Sequence, residues 1–91
     1  MRPRSVHSSG YQLLAARLRD ARNTAGSTQR EVADRLAKPP SYVHKVENGE
    51  RELNVIELFD YCAALEVDAI EFIRGLQGAI AQSRKDETGN A

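Results

Sequence analysis

Two histidines, one cysteine and a scatter of serines and carboxylates are the residues of this chain that could carry covalent, acid–base or metal chemistry. None stands at the spacing such chemistry needs. A nucleophile requires a base within hydrogen-bond reach, itself oriented by a third group. His7 lies in a polar opening stretch, and nothing nearby orients His44 as a general base. One cysteine and two histidines without paired spacing make no zinc site, and a lone cysteine makes no internal disulfide. The reading is of a protein that is not an enzyme and calls for no metal and no cofactor. What remains is recognition. Ser41, Tyr42, His44 and Lys45 place donors and a positive charge on one short segment, with Arg30, Arg35, Lys38 and Arg51 beside it. Side chains of these types suit a polyanion.

The charge balance agrees. Thirteen Lys+Arg meet thirteen Asp+Glu, for a net charge of zero. The charges are unevenly spread: residues 1–52 hold ten basic and six acidic side chains, and residues 53–91 hold three and seven. A basic half (net +4) and an acidic half (net −4) suggest one face that meets a polyanion and one that does not. With 91 residues, 41% of them apolar, the chain builds one modest core, too small to wall a deep substrate pocket. The longest apolar run, Tyr61 to Leu65, is five residues, so no membrane span is expected. The opening MRPRSVHSSG has no apolar h-region and does not read as a secretory signal. A reducing cytoplasm is the expected compartment.

The elements that must position these residues are short helices with legible starts. Ser9 and Gln12 have capping-box spacing before Leu14, Leu18 and Ala21, and Thr28 and Glu31 have it before Val32, Ala33 and Leu36. Asn54 with Glu57, and Asp68 with Glu71, repeat the spacing before two further apolar stripes. Between the second and third of these signals, Pro39-Pro40 opens a helix and Asn48-Gly49 closes it, giving a segment from 40 to 47. No stretch alternates for long enough to make a strand. The expected fold is all-α, a compact five-helix bundle over residues 9–82. A disordered basic arm is expected over 1–8 and a disordered polar tail over 83–91.

The pair of helices expected at 29–37 and 40–47 carries the functional reading. A link of only Lys38-Pro39 forces them to cross steeply, and the small Ala33 lets them approach. Val43 and Val46 would face Val32 and Leu36. Ser41, Tyr42, His44 and Lys45 would face outward, as in a helix-turn-helix that offers its second helix to the DNA major groove.

The segment TQREVADRLAKPPSYVHKVENGERELNVIELFDYCAALEVD resembles the Cro/phage-repressor (Xre-type) helix-turn-helix family. Gln29 follows the cap, Ser41-Tyr42-Val43 opens the second helix, Glu47-Asn48-Gly49 closes it, and Leu58 with Ala64-Leu65 marks a supporting helix. The likeness spans about residues 11–73. It implies a phage-repressor-type DNA-binding domain, with helices 2 and 3 forming the motif. By that likeness Gln29 contacts a phosphate, while Pro40, Ser41, Tyr42, His44 and Lys45 face the groove or the backbone. Arg22 and Glu47 then pair as a structural tie. Pro40 departs from the family, in which many members carry Gln or Arg there; it offers no donor, so direct readout moves to Ser41, His44 and Lys45, or to DNA shape. Pro39 also lacks a capping hydroxyl.

Several side chains keep two readings at this point. His44 reads a base, touches phosphate only when protonated, or does neither. The Tyr42 ring packs on the helix pair, or its hydroxyl reaches a phosphate. Two or three of Arg30, Arg35, Lys38 and Arg51 neutralise phosphates. Asn48 donates to phosphate or serves only as a cap. Arg2 and Arg4 enter a minor groove or belong to a disordered terminus. Cys62 falls on an apolar stripe and reads as core.

Ile70, Ile73, Leu76 and Ile80 recur at three- and four-residue steps along the last helix. A core this small needs the first two, so Leu76 and Ile80 extend the stripe past the body, with Ile73, Leu76 and Ile80 as the expected dimer contacts, and Gly75 and Gly78 weaken that extension as an isolated helix. A second copy of the chain would explain it. The expected function is a sequence-specific transcriptional regulator, a repressor that binds a palindromic operator on double-stranded DNA as a homodimer. The alternative is an antitoxin-type protein that neutralises a toxin-like partner and also binds its own promoter.

Overall fold

The computed structural model describes residues 8–89, with side chains as far as 86. Arg2, Arg4 and His7, and with them the expected arm as far as residue 7, lie outside the described residues. Five helices follow one another, α1 Ser9–Thr24, α2 Gln29–Arg35, α3 Pro40–Glu47, α4 Val55–Ala64 and α5 Ala69–Gly89, and no strand occurs among the described residues. Among the described residues no helix is long and apolar enough to cross a membrane.

Local chemistry explains most of the boundaries. At α2 the Thr28 hydroxyl accepts from the Glu31 amide at 3.0 Å, and the Glu31 carboxylate accepts from the Thr28 amide at 2.8 Å. Asn54 and Glu57 make the same reciprocal pair at α4, with distances of 2.7 and 2.9 Å. At α5 the Asp68 carboxylate takes the Glu71 amide at 3.0 Å. Each pair satisfies amides that would otherwise begin a helix without a partner. Pro39 caps α3 without a side-chain hydrogen bond.

Three boundaries differ from the sequence reading. The cap of α1 is Ser8, not Ser9: its hydroxyl accepts from the Tyr11 amide at 3.1 Å. Adjacent serines offer the same chemistry, and the local pattern does not choose between them. Helix α2 stops at Arg35, two residues early. Ala37 turns left-handed, with φ of 56°, and the Lys38 amide reaches back to the Ala33 carbonyl at 2.9 Å. This closes the helix at some cost in strain for a non-glycine residue, and the link to α3 is four residues rather than two. Finally, α5 continues to Gly89 where a disordered tail was expected from 83. The preceding turns supply the nucleus, and Gln82 donates to Asp86 one turn on, at 2.9 Å.

The core is a single cluster of Leu14, Leu18, Val32, Ala33, Val43, Val46, Tyr61, Ala64 and Leu65. Cys62 is buried beside it as a free thiol. Helix α5 lies back against α1. The Arg17 guanidinium of α1 lies over Gly75 of α5, in the space a Cβ would take. Ile80 likewise sits on α1, with its Cδ1 3.6 Å from where a side chain on Gly10 would begin. Leu76 packs against the core. Leu76 and Ile80 are therefore half-buried within one protomer and do not extend past the globular body as a free stripe. The fold-back of α5, invisible in its own periodicity, is the reason.

Candidate nucleic-acid interface

Helix α3 has two faces. Val43, Val46 and Glu47 are buried, while Pro40, Ser41, His44, Lys45 and Asn48 are exposed at steps of one and three residues. The buried face is anchored twice. Val43 and Val46 enter the core. Glu47 accepts from one edge of the Arg22 guanidinium of α1, Nε at 2.6 Å and Nη2 at 3.0 Å. The pairing implied by the family resemblance is therefore present, and the carboxylate beside Arg22 holds that guanidinium above its ordinary pKa.

The same carboxylate takes a third donor that the sequence did not reveal. The Gln29 amide nitrogen bonds Glu47 Oε1 at 2.9 Å. Gln29 is thus not a loose polar residue at the start of α2, since one of its two N–H groups is committed and the other left to give. No local spacing signals this bond, because 18 residues separate the partners.

A second grouping forms around Tyr42. Its ring is half-buried against Tyr61, with centroids 6.5 Å apart. The Lys38 ammonium lies 5.3 Å from the ring centroid and the Arg51 guanidinium 5.2 Å. Arg51 in turn pairs with Glu57 at 2.9 Å, and burial raises the Tyr42 hydroxyl above its ordinary pKa. The ring therefore packs inward against Tyr61 of α4 and holds cations beside it. Lys38, Ser41, Lys45 and Arg51 border an open cavity of roughly 320 Å³ at the foot of α3.

The remaining predicted residues separate. Arg30 is exposed on α2. Arg35, though exposed, donates to the Ser27 hydroxyl at 3.2 Å and the Ala64 carbonyl at 2.9 Å, which makes it a tie between α2 and α4. Asn48 ends α3 and bonds His44. Tyr11, which the sequence reading passed over, clamps the segment after α3: its hydroxyl donates to the Arg51 carbonyl at 3.0 Å and accepts from the Leu53 amide. Among the described residues the large exposed apolar side chains are Val55, Ile56, Phe59 and Ile70, while Leu76 and Ile80 are half-buried.

A short helix with a polar outer face, locked across a preceding helix by buried contacts, defines a helix-turn-helix domain. The helix-turn-helix family model matches residues 18–72. An XRE-family-like protein from Pseudomonas syringae pv. tomato shares 41% identity over 82% of this chain and 92% of its own, with a TM-score of 0.75. The chain belongs to the Cro/C1-type, or XRE, family of DNA-binding transcription regulators. The clp gene regulator ClgR of Corynebacterium glutamicum is 26% identical over 91% of this chain and 89% of its own, with a TM-score of 0.74. The restriction-modification controller protein C.Esp1396I, solved as a tetramer with its natural 35-base-pair operator, is similar in fold at 23% identity, covering 82% of this chain and 99% of its own, with a TM-score of 0.75. No curated protein matches the chain.

Proposed function

We propose that this protein represses transcription in the cytoplasm by occupying a palindromic operator as a homodimer, with α3 in the major groove. The observation that carries this reading is the division of α3 into a sealed inner face and an outer face of Ser41, His44 and Lys45. Gln29, its amide oriented by Glu47, gives its second N–H to a phosphate. Lys38 and Arg51 neutralise the backbone beside Tyr42. Pro40 and Asn48 border the groove, and Arg30 adds a further basic contact. An XRE relative at 41% identity supports the regulatory class, and the operator-bound tetramer of C.Esp1396I supports assembly on DNA.

For the second copy, Ile73 keeps its proposed role, with Leu76 and Ile80 contributing their uncovered edges along a surface groove. The exposed Val55, Ile56, Phe59 and Ile70 add apolar area. Twofold pairing would set two α3 helices about 34 Å apart, one turn of DNA.

Selection of sites from random duplex DNA tests the reading. A palindrome with half-sites one turn apart is expected, with binding that weakens steeply in salt. Lys45→Ala should cost about 1–3 kcal/mol per protomer on the selected site and leave the domain folded. Gln29→Ala should weaken binding to all sequences alike. Enrichment without a motif, or full binding by both variants, would refute the docking.

A further inference from the structure

The geometry at the end of α3 points to Asn48 as a positioning residue that sets which nitrogen of the His44 ring carries the proton. We infer this from two contacts of one atom. The Asn48 Nδ2 lies 3.0 Å from His44 Nε2 and 3.4 Å from the Glu50 carboxylate. An ionised carboxylate can only accept, so the NH2 end of the amide, and not its carbonyl, faces Glu50. That end has two hydrogens and no lone pair to accept with. Its second hydrogen therefore meets Nε2, which must present a lone pair. In the neutral ring the proton then sits on Nδ1, the reverse of the preference of a free histidine side chain. The amide orientation is decided by the network and not by the amide alone.

The inference deepens the proposed function and rests on its placing of α3 in the groove. His44 is exposed on the outer face of that helix. With Nε2 occupied by Asn48, the neutral ring has one group left to offer, the Nδ1–H donor. A donor is answered by guanine N7 or O6, adenine N7 or thymine O4, and refused by the cytosine amino group. Glu50 acts at one remove: it orients the amide, and the amide selects the tautomer. The three residues form a relay in which only His44 touches a base.

The tautomer is read directly by nitrogen NMR of the His44 ring in the free, folded protein, with the imidazole neutral. Wild type should show Nε2 unprotonated and Nδ1 protonated. Asn48→Asp replaces the donor with an acceptor and should move the proton to Nε2. Asn48→Ala should give a mixture, as should Glu50→Gln, which leaves Asn48 in place. Site selection with Asn48→Asp should then shift one base position toward cytosine or the adenine amino group by about tenfold. A wild-type ring protonated on Nε2, or a tautomer unmoved by Asn48→Ala, overturns the inference, and so does a switched tautomer with unchanged base preference. Failure of the wild-type protein to bind any duplex sinks the groove placement instead, and the two failures are distinct because the tautomer is measured without DNA.

Discussion

Replacing Glu47 by alanine should unfold this domain at markedly lower temperature, though the residue lies on the helix proposed to meet DNA. The Glu47 side chain is 2% exposed and the Arg22 side chain 13%. Its two oxygens accept three donors, at 2.6 and 3.0 Å from Arg22 and 2.9 Å from Gln29. Truncation leaves a largely buried guanidinium whose remaining protein partner is the Ser27 carbonyl, at 3.0 Å. Removing one member of a buried pair costs about 3–5 kcal/mol. Arg22 keeps an edge in water, so the lower end, about 3 kcal/mol, applies here. In a domain of this size each kcal/mol moves Tm by roughly 4–8 °C, which gives a fall of about 12–24 °C. Thermal and urea unfolding of Glu47→Ala, Arg22→Ala and the double variant make a cycle. The double variant removes both charges and should lose about 2 kcal/mol less than the sum of the singles. A loss under about 1 kcal/mol for Glu47→Ala, or singles that add to within about 0.5 kcal/mol, would show that this network is not what holds α1, α2 and α3 together.

Four further outcomes follow from the same structure. Tyr61 is fully buried and its hydroxyl has no hydrogen-bond partner among the described residues, so Tyr61→Phe should stabilise the domain by about 1 kcal/mol in urea or calorimetric unfolding, and a loss of that size would reveal a partner for the hydroxyl. Burial also raises its pKa, so in an alkaline spectrophotometric titration Tyr61 should ionise only as the protein unfolds. The Asn54 amide, and after it Arg51, hold the Glu57 carboxyl below its ordinary value of 4.5. Its stabilisation is therefore present above that value and lost as pH falls through the lower folded-state value, and Glu57→Gln should flatten the acid limb of a plot of urea midpoint against pH. Phe59→Glu puts a charge into the exposed apolar patch of α4 and should shift sedimentation toward monomer while the helical content holds; an unchanged dimer would place the twofold interface elsewhere.

The parts of this protein readable in advance were those governed by neighbours in sequence. Thr28 with Glu31, Asn54 with Glu57, and Asp68 with Glu71 are each three residues apart, so their hydrogen bonds form as soon as the chain turns. Val43 and Val46 on one side of α3, and Ser41, His44 and Lys45 on the other, follow from helical periodicity, and that division carries the functional reading. The tie between Arg22 and Glu47, 25 residues apart, was visible only through resemblance to a family.

The residues themselves thus settle the number of helices, where most of them begin, and which side of α3 is left for a ligand, because capping and amphipathicity act over one turn. Folding alone settles that Gln29 is held by Glu47 and that Arg35 is spent on Ser27 and Ala64. It alone brings Tyr11 to Arg51 and Leu53, across 40 and 42 residues, and covers much of Leu76 and Ile80 with other parts of the chain. These contacts join positions that no periodicity relates. Each depends on the angle at which whole helices meet, and that angle is decided by packing of the shared core.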